Sequence, residues 1–245
     1  MTAPLGILVE PDKVISLLKK KIQFKEVYQQ VLQDNIIQQA AQERGVTVSS
    51  QEIQAQCDRL RHEKRLESAS DTMTWLADQM IAVEELEIGI RDHLLAEKLA
   101  DYLFNQDVEK FFAQNKIDFE QVLIYQIVVP YPKLAQEILY QVEEAEISFY
   151  EAAHLYDIDE RRRYHCGYEG KLYRWNLKPA IAAVVFNSRK VGELIGPVTV
   201  DKQSHLLMVE QFIPAELTPE IYQSIRQRLF KQWLDGELDY LLHNS

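Results

Sequence analysis

The sequence predicts an α+β fold: a helical N-terminal domain, completed by a C-terminal helix, with an antiparallel sheet domain inserted between them. Three observations carry this. After Pro11 no proline occurs before residue 115, and glycine is confined there to Gly45 and Gly89, so long helices are free to form. From residue 119 the texture changes to FEQVLIYQIVVPYP, rich in β-branched and aromatic residues. Past Pro214 helical period returns in TPEIYQSIRQRLFKQWLDGELDYLLHN, and a terminal helix this apolar has to dock on something. The N-terminal helices are its natural partner.

Taken in order, FKEVYQQVLQDNIIQQAAQERG places Phe24, Val27, Tyr28, Val31, Leu32 and Ile36 at helical spacing, and Gly45 supplies a left-handed end. Ser49 or Ser50 can cap the next helix, with Glu52 early in it, where the helix dipole favours an acid. A third helix is expected through TMTWLADQMI, a fourth over 83–104, and a short separate one over 106–114. The sheet domain opens with the strand LIYQIVV, ended by Pro130 and Pro132. KLAQEILYQVEEA follows as an amphipathic helix and SFYEAAHLY as a shorter one capped by Ser148. A glycine-bearing loop, a helix near 178–186 and strands at 195–200 and 205–211 complete the unit. The resulting division is 1–118, 119–213 and 214–245.

Composition narrows the functional classes. Apolar residues make up 47% of the 245, which suits packed cores rather than disorder. A net charge of −11 without an evident basic face argues against nucleic acid or an anionic membrane as main partner. The first 25 residues hold acids, prolines and a KKK run but no apolar leader core, and no apolar run approaches about 18 residues. The expectation is a cytoplasmic protein without membrane insertion. Cys57 and Cys166, far apart in sequence, read as free thiols. His154, His165 and Cys166 lack a second ligand pair, so neither zinc nor another cofactor is expected. GxSxG, Walker A, GxGxxG and HExxH are all absent.

The segment 119–213 resembles a parvulin-type peptidyl-prolyl isomerase domain. The resemblance is carried by the strand LIYQIVV, two helices ending in YDIDE, the loop CGYEGKL, a helix with Leu177, Ile181 and Phe186, the corner GELIGPV and the strand SHLLMVE. Gly192, Gly196, Pro197, Val198 and His205 fall on its most specific part. NIIQQAAQERGVTVSSQEIQAQ is similar to the helix–glycine–helix segment of SurA- and PrsA-like foldases, and DVEKFFAQNKIDFEQV to their connector.

The resemblance implies four strands flanked by helices and an isomerase acting on X-Pro bonds of unfolded or exported polypeptides, with a possible link to an export system. His205 would be the strand histidine of the site. Gln126 stands where a partner histidine is usual; it can donate and accept hydrogen bonds but cannot titrate near neutrality. The central acid falls within Asp157–Asp159, and spacing after Tyr156 favours Asp159. Leu177 and Ile181 would line a proline pocket, supported by Phe186; the same spacing also serves ordinary core. Glu169 occupies a usually apolar pocket position. Arg161 and Arg162, in RRRYHC, would select acids flanking the proline, or simply balance Asp157, Asp159 and Glu160 in a solvated loop. The alternative function is a chaperone or escort with little catalysis.

Overall fold

Helical period in the first half of the chain becomes five helices in the computed structural model, which describes residues 9–243. They are α1 (Pro11–Lys20), α2 (Phe24–Glu43), α3 (Ser50–Glu63), α4 (Ala69–Asp78) and α5 (Val83–Gln114). Their ends are written in the sequence. Past α2, Gly45 takes φ +67 and donates to the Gln42 carbonyl at 3.2 Å, while Val46 N–H reaches Ala41 O at 2.9 Å. That pair of bonds is a Schellman closure, which needs a residue at ease with positive φ. Ser49 caps α3 through Glu52 N–H, and the Glu52 carboxylate accepts from Ser49 N–H at 2.8 Å. Lys98 Nζ lies 2.8 Å from the same carboxylate, and this bond, followed by those from Ser49, holds Glu52 at a pKa of about 2.

One boundary differs from expectation. Residues 83–114 form a single helix, not a helix to 104 and a short second one. Asn105, where a break was expected, keeps helical backbone and uses its side chain outward, accepting from the Tyr222 hydroxyl at 2.6 Å. Val108, one turn on, is fully buried, so packing continues across that point.

The chain divides into two compact units: residues up to Val108 with the segment from Pro219 onward, and Glu109–Thr218. In the first, α10 (Pro219–His243) packs against the N-terminal helices, burying Ile225, Leu234 and Leu238. Leu234 shares a core with Ile37, Ala40 and Leu99, flanked by Phe230 and Trp233. The α+β arrangement expected from the sequence, with a C-terminal helix returning to the helical domain, is therefore present.

The second unit is built on β1 (Gln121–Val129), β2 (Tyr168–Tyr173), β3 (Leu194–Val200) and β4 (Gln203–Ile213), all antiparallel in the order β2-β1-β4-β3. One face carries α6 (Pro132–Glu143) and α7 (Phe149–Tyr156), which enclose Ile127, Val129 and Leu206 with Ala135, Ile138 and Phe149. The other carries α9 (Pro179–Ser188), which encloses Val122, Ile124, Leu207 and Val209 with Ile181, Val185 and Phe186. Period-two alternation sends neighbouring strand residues to opposite faces, which accounts for two cores on one sheet. The stretch read as a glycine-bearing loop holds more order than expected. It contains the short helix α8 (Glu160–Tyr164), with Asp159 as its cap, and the edge strand β2.

Candidate functional site

Antiparallel register decides which side chains can meet. Gln126 on β1 faces Leu207 on β4, and Val128 faces His205. Leu207 packs with Ile181 of α9, so Gln126 and His205, each two residues along in register, share the α9 face of the sheet. The sequence-predicted pair is thus brought to one face. His205 is 3% exposed, and neither Nδ1 nor Nε2 has a hydrogen-bond partner. Burial is the main cause that lowers its pKa from 6.5, with Lys178 and Arg162 adding to it and Asp157 and Asp201 opposing. The ring is therefore held towards its neutral form.

Two glycines make this packing possible. A Cβ on Gly196 would lie 2.6 Å from the carbonyl oxygen of His205, and Gly196 has φ +124. Gly167, at φ +88, accepts from Gln126 N–H at 2.8 Å, and a Cβ there would lie 2.9 Å from the Gln126 carbonyl oxygen. Only glycine lets backbone approach backbone so closely.

Of the two aspartates in YDID, Asp157 is buried and acts on His205, while Asp159 is exposed. The Asp157 side chain is wholly buried, and its Oδ2 accepts from Val128 N–H at 2.9 Å and from Arg162 Nε at 2.8 Å. Oδ1 accepts from Asp159 N–H at 2.7 Å. Asp159 is exposed and spends Oδ1 on Arg162 N–H at 2.9 Å as the cap of α8, the bond that chiefly lowers its pKa. Spacing favoured Asp159 as the central acid; the structure places Asp157 inside and Asp159 at the start of α8, and a local signal for that placement existed. An aspartate directly ahead of ERRRY, with Glu160 in the first turn, reads as a helix cap.

Arg162 also binds Glu169, Nη1 to Oε1 at 2.7 Å. The usually apolar pocket position thus belongs to an ionic chain, Asp157–Arg162–Glu169. Beside it lies a cavity of about 500 Å³ lined by Asp159, Arg161, Arg162, His165, Tyr168 and Glu169. Four predicted site residues meet there, and His165 and Tyr168 join them. His205, Gln126, Leu177, Ile181 and Phe186 do not line it. Leu177, Ile181 and Phe186 are buried among Val122, Ile124 and Leu207, where they serve as core. Lys178, which the sequence did not single out, carries charge to the His205 side and pairs with Asp201 at 2.7 Å. Among the described residues no cluster of His, Cys, Asp and Glu could hold a metal ion.

Residues 130–211 match the family model described as Rotamase, PPIC-type PPIASE domain. The sheet unit is a PPIC-type rotamase domain. No curated protein matches the chain. Among solved structures, peptidylprolyl isomerase PrsA from Bacillus cereus is 17% identical, with 100% of this chain and 91% of that one covered and a TM-score of 0.53. PrsA from Bacillus anthracis is also 17% identical, covering 87% and 96%, with a TM-score of 0.46. One of two SurA-like chaperones of Campylobacter jejuni is 18% identical, covering 100% and 97%, with a TM-score of 0.39. The Bacillus cereus likeness extends the shared fold beyond the rotamase domain to the helical unit. Within the rotamase domain, His205 and the Gly196 corner lie inside the matched segment, whereas Gln126 precedes it.

Proposed function

We propose that the chain is a foldase that turns X-Pro bonds of extended client polypeptides between cis and trans by favouring the twisted amide. The observation that carries this reading is His205: buried, held neutral, unpartnered at both nitrogens, and on one sheet face with Gln126 in a rotamase domain. Rotation about a peptide bond faces a barrier of ~18–20 kcal/mol because the amide is conjugated. Groups that bind the twisted form better than either planar isomer lower it without covalent chemistry. A neutral imidazole offers one donor and one acceptor, and a glutamine amide offers both. Since His205 holds no intramolecular hydrogen bond, none has to be broken when it engages a substrate. Unpaired Cys57 and Cys166 support a reducing compartment, the cytoplasm, as the place of encounter, ahead of any export step.

A second reading, a chaperone that holds polypeptide without turning it, is favoured by a different observation. Leu177, Ile181 and Phe186 are consumed by the core, and Glu169 is tied to Arg162 where an apolar pocket wall would stand. A protease-coupled assay on a proline-containing peptide separates the two. A rate above background that disappears in His205→Ala supports the isomerase. Background rate together with suppressed aggregation of an unfolded client supports the holding chaperone instead.

A further inference from the structure

Among the described residues, an apolar surface on the first helix of the helical unit has no cover. Helix α1 buries none of its residues, and Val14, Ile15 and Leu17 are 39–50% exposed. On a helical wheel these three fall with Leu18 on one side, while Lys13, Lys19 and Lys20 take the other. Beyond the helix, Lys21 and Lys25 flank Ile22, which is 91% exposed at the elbow before α2. From residue 9 to 25 the chain carries five lysines against Glu10 and Asp12, although the whole has a net charge of −11. None of the five lysines forms an ion pair among the described residues.

We propose that α1 and its elbow form a docking surface for an anionic lipid bilayer, lying in the headgroup plane without crossing it. Charge complementarity and the kind of cation select this occupant. Protein interfaces favour arginine and aromatic anchors and are depleted in lysine. Here every cation is a lysine and the apolar residues of α1 are aliphatic. Lysines beside an aliphatic stripe keep their heads in the phosphate layer while their stems follow the apolar face into the lipid. The acidic remainder of the chain does not cancel the attraction, since charges more than about 8 Å from the surface are screened at physiological salt. No helix among the described residues is long and apolar enough to cross a membrane, which agrees with adsorption rather than insertion. Adsorption holds whether or not the rotamase domain catalyses rotation.

The test is flotation of the full chain with vesicles of phosphatidylglycerol and phosphatidylcholine in equal parts, against vesicles of phosphatidylcholine alone. Binding to the anionic vesicles only, weakened by high salt, is the expected result. Each lysine near an anionic surface contributes about five-fold in affinity, so replacing Lys19, Lys20 and Lys21 by Gln should weaken binding roughly a hundred-fold. Leu17→Glu with Leu18→Glu should abolish it, with helix content unchanged because no residue of α1 is fully buried. Equal flotation with both vesicle types, or undiminished binding by either variant, overturns the proposal. So does a native chain that is dimeric by light scattering and becomes monomeric in the Leu17/Leu18 variant, because a second copy would then be what covers this face.

Discussion

Nε of Arg162 lies 2.8 Å from Oδ2 of Asp157, and through that carboxylate the α8 turn is tied to Val128, the residue opposite His205 on the sheet. Ile158 N–H adds a second tie, to Val128 O at 3.0 Å. The acid-bearing segment thus holds the strand beside the histidine and anchors the arginine that reaches Glu169.

Breaking this tie should cost stability. Asp157 is fully buried and Arg162 nearly so, hence Arg162→Met leaves an uncompensated internal charge. The expected loss is ~3 kcal/mol in urea unfolding, partly recovered when Asp157→Asn is added. A loss below ~0.5 kcal/mol would class the pair with exposed ion pairs instead.

Glu169 offers a gain-of-function test of the isomerase reading. Replacing it by Leu puts an apolar side chain into the cavity beside Arg162 and leaves Asp157 to hold Arg162. An added apolar contact of ~1.4 kcal/mol corresponds to about ten-fold in kcat/KM on a proline peptide. An unchanged kcat/KM would place residue 169 outside the reach of the substrate.

His205 is expected to trade stability for function. Two buried ring nitrogens without partners are costly, so His205→Phe, similar in shape and apolar, should raise stability by ~1 kcal/mol while abolishing isomerisation. A destabilised Phe variant would mean that the nitrogens are satisfied in solution.

Acidification should reveal the same group. In the unfolded chain the imidazole takes up its proton near its ordinary value of 6.5, whereas burial holds the folded value lower. Between the two the unfolded state binds more protons, so stability rises with pH across that window. The contribution is complete above 6.5 and is lost as pH falls through the folded value. Melting temperature should therefore drop on acidification below 6.5, and less steeply in His205→Gln. Parallel curves for the two proteins would remove His205 as the cause.

Gly196→Ala should cost ~2–3 kcal/mol, because the new Cβ meets the His205 carbonyl at 2.6 Å in a conformation, φ +124, that side chains avoid. Gly192→Ala meets no such atom, since nothing lies within 4 Å of its Cβ. The strain of its φ of +75 alone should cost less, ~1 kcal/mol. Chemical unfolding of both variants checks the order, and equal losses would show that the close approach to His205 O is relaxed in solution.

Local rules were enough for much of this molecule. A serine cap at 49 or 50, the Ser148 cap, the Gly45 closure, the return of α10 to the helical unit and the strands around His205 all follow from residue type and period, which act within a few positions of each other. Tertiary structure decided the rest. Val27, Tyr28 and Val31 have the period of a buried helical face yet stay exposed, because period reports which residues share a side and not what lies opposite. Between Asp157 and Asp159, two residues apart, only the path of Val128 settled which carboxylate goes inside. Leu177, Ile181 and Phe186 could as well have walled a pocket as filled a core; the close packing of β1 and β4 beneath α9 made them core. Burial and pairing depend on partners tens of residues away along the chain, and no pattern within a single segment encodes them.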